Sequence, residues 1–225
     1  WGVTRGNMVP PGVVHVLERV EKQIPGRSAA RESEPVTAAP IANVEAAIPH
    51  LHRNPVAREV FTAAIRLQLV SGLRPGEVCA MRAGQIDRSG EAWRYEPRAA
   101  NKNRHRAKAR VVWMGPRAQS ILGPMLAGLG PDDPVFAYVR RAGEPRRAIT
   151  VNLYCSRVAY ACRAAKVARW HPHQLRHNRA TELQRRYECD EAVRVGIGDT
   201  PEVARQVYVD DPAEAVAKRI ARETG

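Results

Sequence analysis

The chain has 225 residues, enough to bury one substantial core and carry a small appendage, so it needs no disulfide or metal staple to fold. Its 36 Lys and Arg against 23 Asp and Glu leave a formal net charge of +13, which points to a polyanionic partner such as nucleic acid, or to an arginine-rich genome. No apolar run approaches the ~20 residues that span a bilayer and no signal-peptide pattern opens the chain, so a soluble, cytoplasmic protein without membrane contact is expected.

The chain begins at Trp1 rather than Met, which suggests that something upstream is missing. VVHVLERVEKQ repeats Val13, Leu17 and Val20 at helical spacing, and PGRSAARESEPVTAAP (25–40) reads as a linker with no apolar period. NPVAREVFTAAIRLQLVSG carries two adjacent stripes, Val56, Val60, Ala63, Leu67, Val70 and Phe61, Ile65, Leu69, and so predicts a deeply buried helix. Gly72 is placed to end it in a left-handed conformation, and Pro75 and Glu77 fall at the first and third positions of the next helix. Leu73 and Arg74 therefore lie at a tight helix-to-helix corner.

QIDRSGEAWRYEP (85–97) predicts a hairpin with a Ser-Gly turn, and ARVVWMG (109–115) a further strand. Helical patterns resume at 116–129, 151–168 and 173–186, then in short pieces around 190 and 202, and at 212–222. The whole reads as an α+β fold, mainly α-helical, with a small antiparallel β-sheet. Cys79, Cys155, Cys162 and Cys189 form no CxxC pair and read as ordinary thiols in a reduced compartment.

Two stretches could carry chemistry. PRAANKNRHRAKAR (97–110) sets Arg98, Lys102, Arg104, Arg106, Lys108 and Arg110 between two predicted strands without an acidic residue, as a phosphate-binding hairpin tip or as a solvated turn. HPHQLRH (171–177) puts His173 and His177 four apart, like a metal pair. A zincin, however, needs glutamate where Gln174 stands, and Arg176 would repel the ion, so no metal is expected. The same residues suit a phosphate better: Arg176 offers a planar fork, and His173, on the same helix face, donates a hydrogen bond or moves a proton. The alternative is a capping or core histidine beside a surface cation.

Four segments in order resemble the boxes of the tyrosine recombinase, or phage integrase, family across roughly residues 40–212. SGLRPGE (71–77) is similar to its first arginine box, and the segment around Lys102 ending in RVVWMGPRAQ to its lysine hairpin. HPHQLRHNRATEL (171–183) is similar to its His-x-x-Arg box, and EVARQVY (202–208) to its tyrosine segment. The resemblance implies a catalytic domain over 37–225, preceded in 1–36 by the remnant of a core-binding region plus linker.

It also implies a mechanism. Tyr208 would attack a phosphate of double-stranded DNA, forming a 3′-phosphotyrosyl link and releasing a 5′-hydroxyl, with Arg74 and Arg176 on the non-bridging oxygens. Lys102 would be the general acid for the leaving oxygen, and His173 would handle the proton near the tyrosine. Glu77 would orient Arg74, unless it is a plain helix-start glutamate. Arg98, Arg104, Arg106 and Lys108 would bind DNA. No cofactor is required, because the covalent link conserves the bond energy, and protomers would associate on DNA as a tetramer.

The pattern departs from the family at Ile197, Gly198 and Asp199, where relatives usually show Leu-Gly-His. An ionised Asp199 accepts a hydrogen bond where histidine donates one to the phosphate, unless it pairs with an active-site arginine or caps a helix ahead of Thr200 and Pro201. Gly196 adds a second glycine, at a cost of up to ~1 kcal/mol inside a helix. The expectation is thus a recombinase or integrase. The alternatives are an impaired relative that binds DNA without strand exchange, and a type IB topoisomerase.

Overall fold

The computed structural model describes residues 37–97, 111–140, 143–187, 193 and 196–197. The expectations for 1–36, for the basic segment 98–110 and for everything beyond 197 lie outside the described residues.

The chain enters through an extended segment that ends at Pro40 and leads into α1 (Ile41–Ala47), a short helix that no sequence pattern predicts. Its one turn of apolar residues is too short to show a period. The first long helix, α2 (Pro55–Ser71), has every expected signal. The Asn54 side chain accepts from the N–H groups of Val56 (2.9 Å) and Ala57 (3.3 Å), and Pro55 occupies the first helical position. Gly72 ends the helix at φ 64°, ψ 21°, the left-handed conformation that glycine adopts without penalty. Val60, Phe61, Ala63, Ile65 and Leu67 are buried as the stripes require, and Phe61, Ile65 and Leu67 each contribute about 1.5–3 kcal/mol by leaving water. Val56 departs from its stripe: it lies in the first turn and remains exposed.

A second helix, α3 (Pro75–Cys79), follows the corner. A helix this short does not hold itself, and it is fixed by its surroundings. Val78 is buried, and the Tyr95 hydroxyl donates to the Glu77 carbonyl at 2.9 Å. Tyr95 belongs to a three-stranded antiparallel sheet, β1 (Ile86–Asp87), β2 (Trp93–Tyr95) and β3 (Val112–Met114), in the order β1-β2-β3. Ile86 pairs with Tyr95, and Tyr95 with Val112. Val112 and Met114 face the core while Trp113 between them stands exposed, the alternation expected of a strand with one solvent face.

Next come α4 (Pro116–Leu126) and a pair of two-residue strands, β4 (Ala137–Tyr138) and β5 (Arg147–Ala148), a second sheet beyond the one that the sequence predicts. The expected helix 116–129 stops at Leu126, and Gly128 turns the chain at φ 73°. Helix α5 (Val151–Ala164) starts where the Thr150 hydroxyl accepts from the Leu153 N–H, and it ends four residues before the expected 168 because Lys166 adopts φ 55°. Helix α6 (Pro172–Tyr187) covers the HPHQLRH stretch and packs on α2.

Helix α6 also grips the entering segment. The Asn178 side chain accepts from the Ala39 N–H (2.9 Å) and donates to the Ala39 carbonyl (2.7 Å), and Gln174 Nε2 donates to the Thr37 carbonyl (3.0 Å). Residues 37–40, linker by composition but inside the domain by the family resemblance, are held against α6, with Ala39 buried. Cys79, Cys155 and Cys162 are free thiols. Burial first, and the neighbouring Cys155 second, push the Cys79 thiol up to about 12, so it stays protonated and unreactive. Among the described residues no helix is long and apolar enough to cross a membrane.

Candidate active site at a helix corner

The site is built on Gly72–Glu77, where α2 turns into α3. Arg74 stands at the cap position of α3, and its backbone N–H donates to Glu77 Oε2 at 2.8 Å while its Nη1 donates to Glu77 Oε1 at 3.3 Å. Glu77 is buried and the Arg74 side chain is 36% exposed. One carboxylate therefore meets both the backbone at the helix start and the guanidinium, through its two oxygens.

Helix α6 reaches the same corner from the other side. Arg176 is completely buried, and its Nη1 donates to the Gly72 carbonyl at 2.6 Å, two residues ahead of Arg74. That geometry rules out the surface-cation alternative. Pro172 occupies the first position of α6 as its sequence suggests, and the Gln174 side chain accepts from the His171 N–H at 3.0 Å to close the helix start. His173 is exposed and His177 buried, with ring centroids 5.5 Å apart in an edge-to-face arrangement. Among the described residues no three His, Cys, Asp or Glu side chains gather as metal ligands.

Gln68, a residue that no sequence motif singles out, sits between these two elements. Its Nε2 donates to the Leu73 carbonyl at 2.8 Å and to the Pro172 carbonyl at 3.4 Å, and its Oε1 accepts from the Tyr154 hydroxyl at 2.8 Å. Its one signal in the sequence is an uncharged amide inside the apolar face of α2. Arg176 is thus brought to the corner that carries Arg74 and Glu77, although it lies 104 residues beyond the carbonyl it binds, and His173 stands in the first turn of the same helix with its ring against that of His177. Lys102, Asp199 and Tyr208, and the hairpin residues Arg98, Arg104, Arg106 and Lys108, lie outside the described residues.

Ile197 and Gly196 can be placed. A β-carbon built on Gly72 would lie 2.6 Å from Ile197 Cγ2 and 3.3 Å from Arg179 Cγ, so Ile197 rests directly on the corner. A β-carbon on Gly196 would come within 2.3 Å of Leu183 Cδ1. Gly196 is helical, as the expected cost supposes, and it lies against the Leu183 side chain of α6. A pocket of about 190 Å³ opens nearby, rimmed by Trp113, Arg117, Arg179 and Arg186, and it includes neither Arg74 nor Arg176.

Chemically, Arg74, a third exposed and steadied by a buried carboxylate, presents a guanidinium that can meet an anion, while Arg176 is completely buried behind the same turn. The fold agrees with solved structures. XerA recombinase matches with a TM-score of 0.61 at 16% identity, over 88% of this chain and 67% of that one. XerH recombinase bound to its palindromic difH substrate matches at 0.63 and 16%, over 89% and 57%. The integrase of the Tn1549 transposon, in complex with transposon right-end DNA, matches at 0.61 and 15%, over 84% and 68%. The chain thus spans between about half and two thirds of these proteins, and the likeness establishes the catalytic-domain fold of tyrosine recombinases. No curated protein sequence matches it. The family model described as the phage integrase family matches residues 42–193, well over half of the chain, and the chain belongs to that family.

Proposed function

We propose that this chain is the catalytic domain of a site-specific DNA recombinase or integrase that cuts and rejoins double-stranded DNA through a 3′-phosphotyrosyl link at Tyr208. The observation that carries this reading is the Arg176 Nη1 to Gly72 carbonyl bond, which seats the His-x-x-Arg helix on the Arg74 corner. The related XerH and Tn1549 proteins were solved on DNA, which supports the same partner here.

In this mechanism Arg74 and Arg176 offset the charge that builds on the pentacoordinate phosphorus. Tyr208 displaces the 5′-oxygen, Lys102 supplies that oxygen with a proton, and His173 manages the proton near the tyrosine. A 5′-hydroxyl from a partner strand reverses the step, and no nucleotide cofactor is consumed. Residues 98–110 supply phosphate contacts, and protomers assemble as tetramers on their site in the cytoplasm.

A second reading, a relative that binds DNA without strand exchange, is favoured by Asp199, an acceptor two residues past the Ile197 that rests on the corner. A nicked suicide DNA substrate separates the two. Active protein accumulates a covalent adduct that vanishes in Tyr208→Phe. Protein that binds DNA yet leaves no adduct fits the second reading, and Asp199→His should then create one.

A further inference from the structure

Gln68 is a polar side chain in the wrong place for mere solubility. It is completely buried on the inner face of α2, among Ala64, Ile65 and Leu67, all equally buried. A primary amide in such surroundings is costly unless its donors and acceptor are all met, and apolar residues of similar shape pack at least as well. The contacts that offset this cost are therefore informative.

Both carbonyls that Nε2 reaches belong to the peptide bonds immediately preceding candidate site residues: Leu73–Arg74 and Pro172–His173. The amide nitrogen carries two hydrogens, one for each. Because both carbonyls can only accept, the nitrogen must face them, and Oε1 must face Tyr154. Tyr154 is completely buried on α5, and desolvation holds its hydroxyl well above the usual tyrosine range, so it remains a donor at any working pH. The amide is locked in one orientation by a third element.

We infer that Gln68 is a positioning residue, a spacer that fixes the separation of the Arg74 corner from the first turn of α6 and is itself oriented by Tyr154. This rests on the proposed reaction for its consequence but on the three hydrogen bonds for its geometry. The single amide does what no local sequence does for these two segments: it ties the Leu73 and Pro172 peptide units, remote from each other along the chain, to one side chain. An error of an ångström in such a spacing can cost up to about a hundredfold in rate.

The test compares wild type with Gln68→Met, which keeps the volume and removes the amide, and with Tyr154→Phe, which deletes one oxygen and keeps Gln68. A core truncation remote from the corner, Leu122→Ala in α4, serves as the stability control. For each, melting temperature, DNA Kd, the single-turnover rate of adduct formation, and the NMR signals of the His173 ring and arginine Nε–H groups are measured. Positioning predicts that Gln68→Met slows adduct formation at least about tenfold with Kd within about twofold, shifts the His173 and arginine signals, and exceeds the slowing in Leu122→Ala at equal loss of melting temperature. Tyr154→Phe shows the same pattern more weakly, and it stands in if Gln68→Met does not fold.

Unshifted His173 and arginine signals, or slowing no greater than in the control, overturn the proposal. If wild type forms no adduct, the recombinase reading falls, and the NMR comparison alone decides whether Gln68 sets the spacing.

Discussion

Arg74 stands at a helix start built by its own neighbours, with a carboxylate three residues on as its partner and a third of its side chain in solvent. Arg176 is wholly inside the protein and is held by a carbonyl contributed from another helix end. Both are expected to grip the same phosphate, yet one is an accessory to the fold and the other is part of it. Substitutions at the two should therefore separate chemistry from stability.

The largest effect is expected at Arg176. Arg176→Ala empties a buried site and leaves the Gly72 carbonyl without its donor, for a loss of about 3 kcal/mol or more, measurable by chemical denaturation. A variant as stable as wild type would show that the corner closes without this bond. Gly72→Ala should come next. Alanine at φ 64° is strained by about 1–2 kcal/mol, and its methyl meets Ile197 as well, so both the corner and the segment leading to Asp199 move. Unchanged stability there would mean that the turn relaxes elsewhere. The smallest effect on folding belongs to Arg74→Ala, about 1–2 kcal/mol: the guanidinium is a third exposed and its contact with Glu77 is 3.3 Å, and although its loss takes a cation from a buried carboxylate, Glu77 still accepts from the backbone N–H. Adduct formation should nonetheless disappear. An Arg74→Ala protein that unfolds as readily as Arg176→Ala would erase the contrast.

The same contrast separates what the amino-acid sequence discloses from what it hides. Arg74 is legible because its setting is local: Gly72, Pro75 and Glu77 are punctuation within six residues, and each takes the predicted place. Helix α2 is legible because its apolar positions recur over four turns, and α6 because Pro172 marks its start and Leu175, Ala180 and Leu183 recur along it. The remaining features are either too short to have a period, as in α1, β4 and β5, or depend on a partner with no sequence identity. Arg176 is buried against a backbone carbonyl, and any residue would supply one. Gln68 resembles the polar member of an amphipathic helix, because its three partners come from the corner, α5 and α6 and meet only in the folded chain. Gly196 hides its neighbour for a similar reason: the closeness of this position to Leu183 exists only in the folded chain.

Asn178 and Gln174 hold Thr37 and Ala39 by their backbone atoms alone. Asn178 in particular offers Ala39 one donor and one acceptor, as an adjacent strand would. The grip is thus blind to which side chains stand at 37 and 38, and it is mounted on the very helix that carries His173 and Arg176. Exchange of the side chains at 37 and 38 should therefore leave these three hydrogen bonds in place.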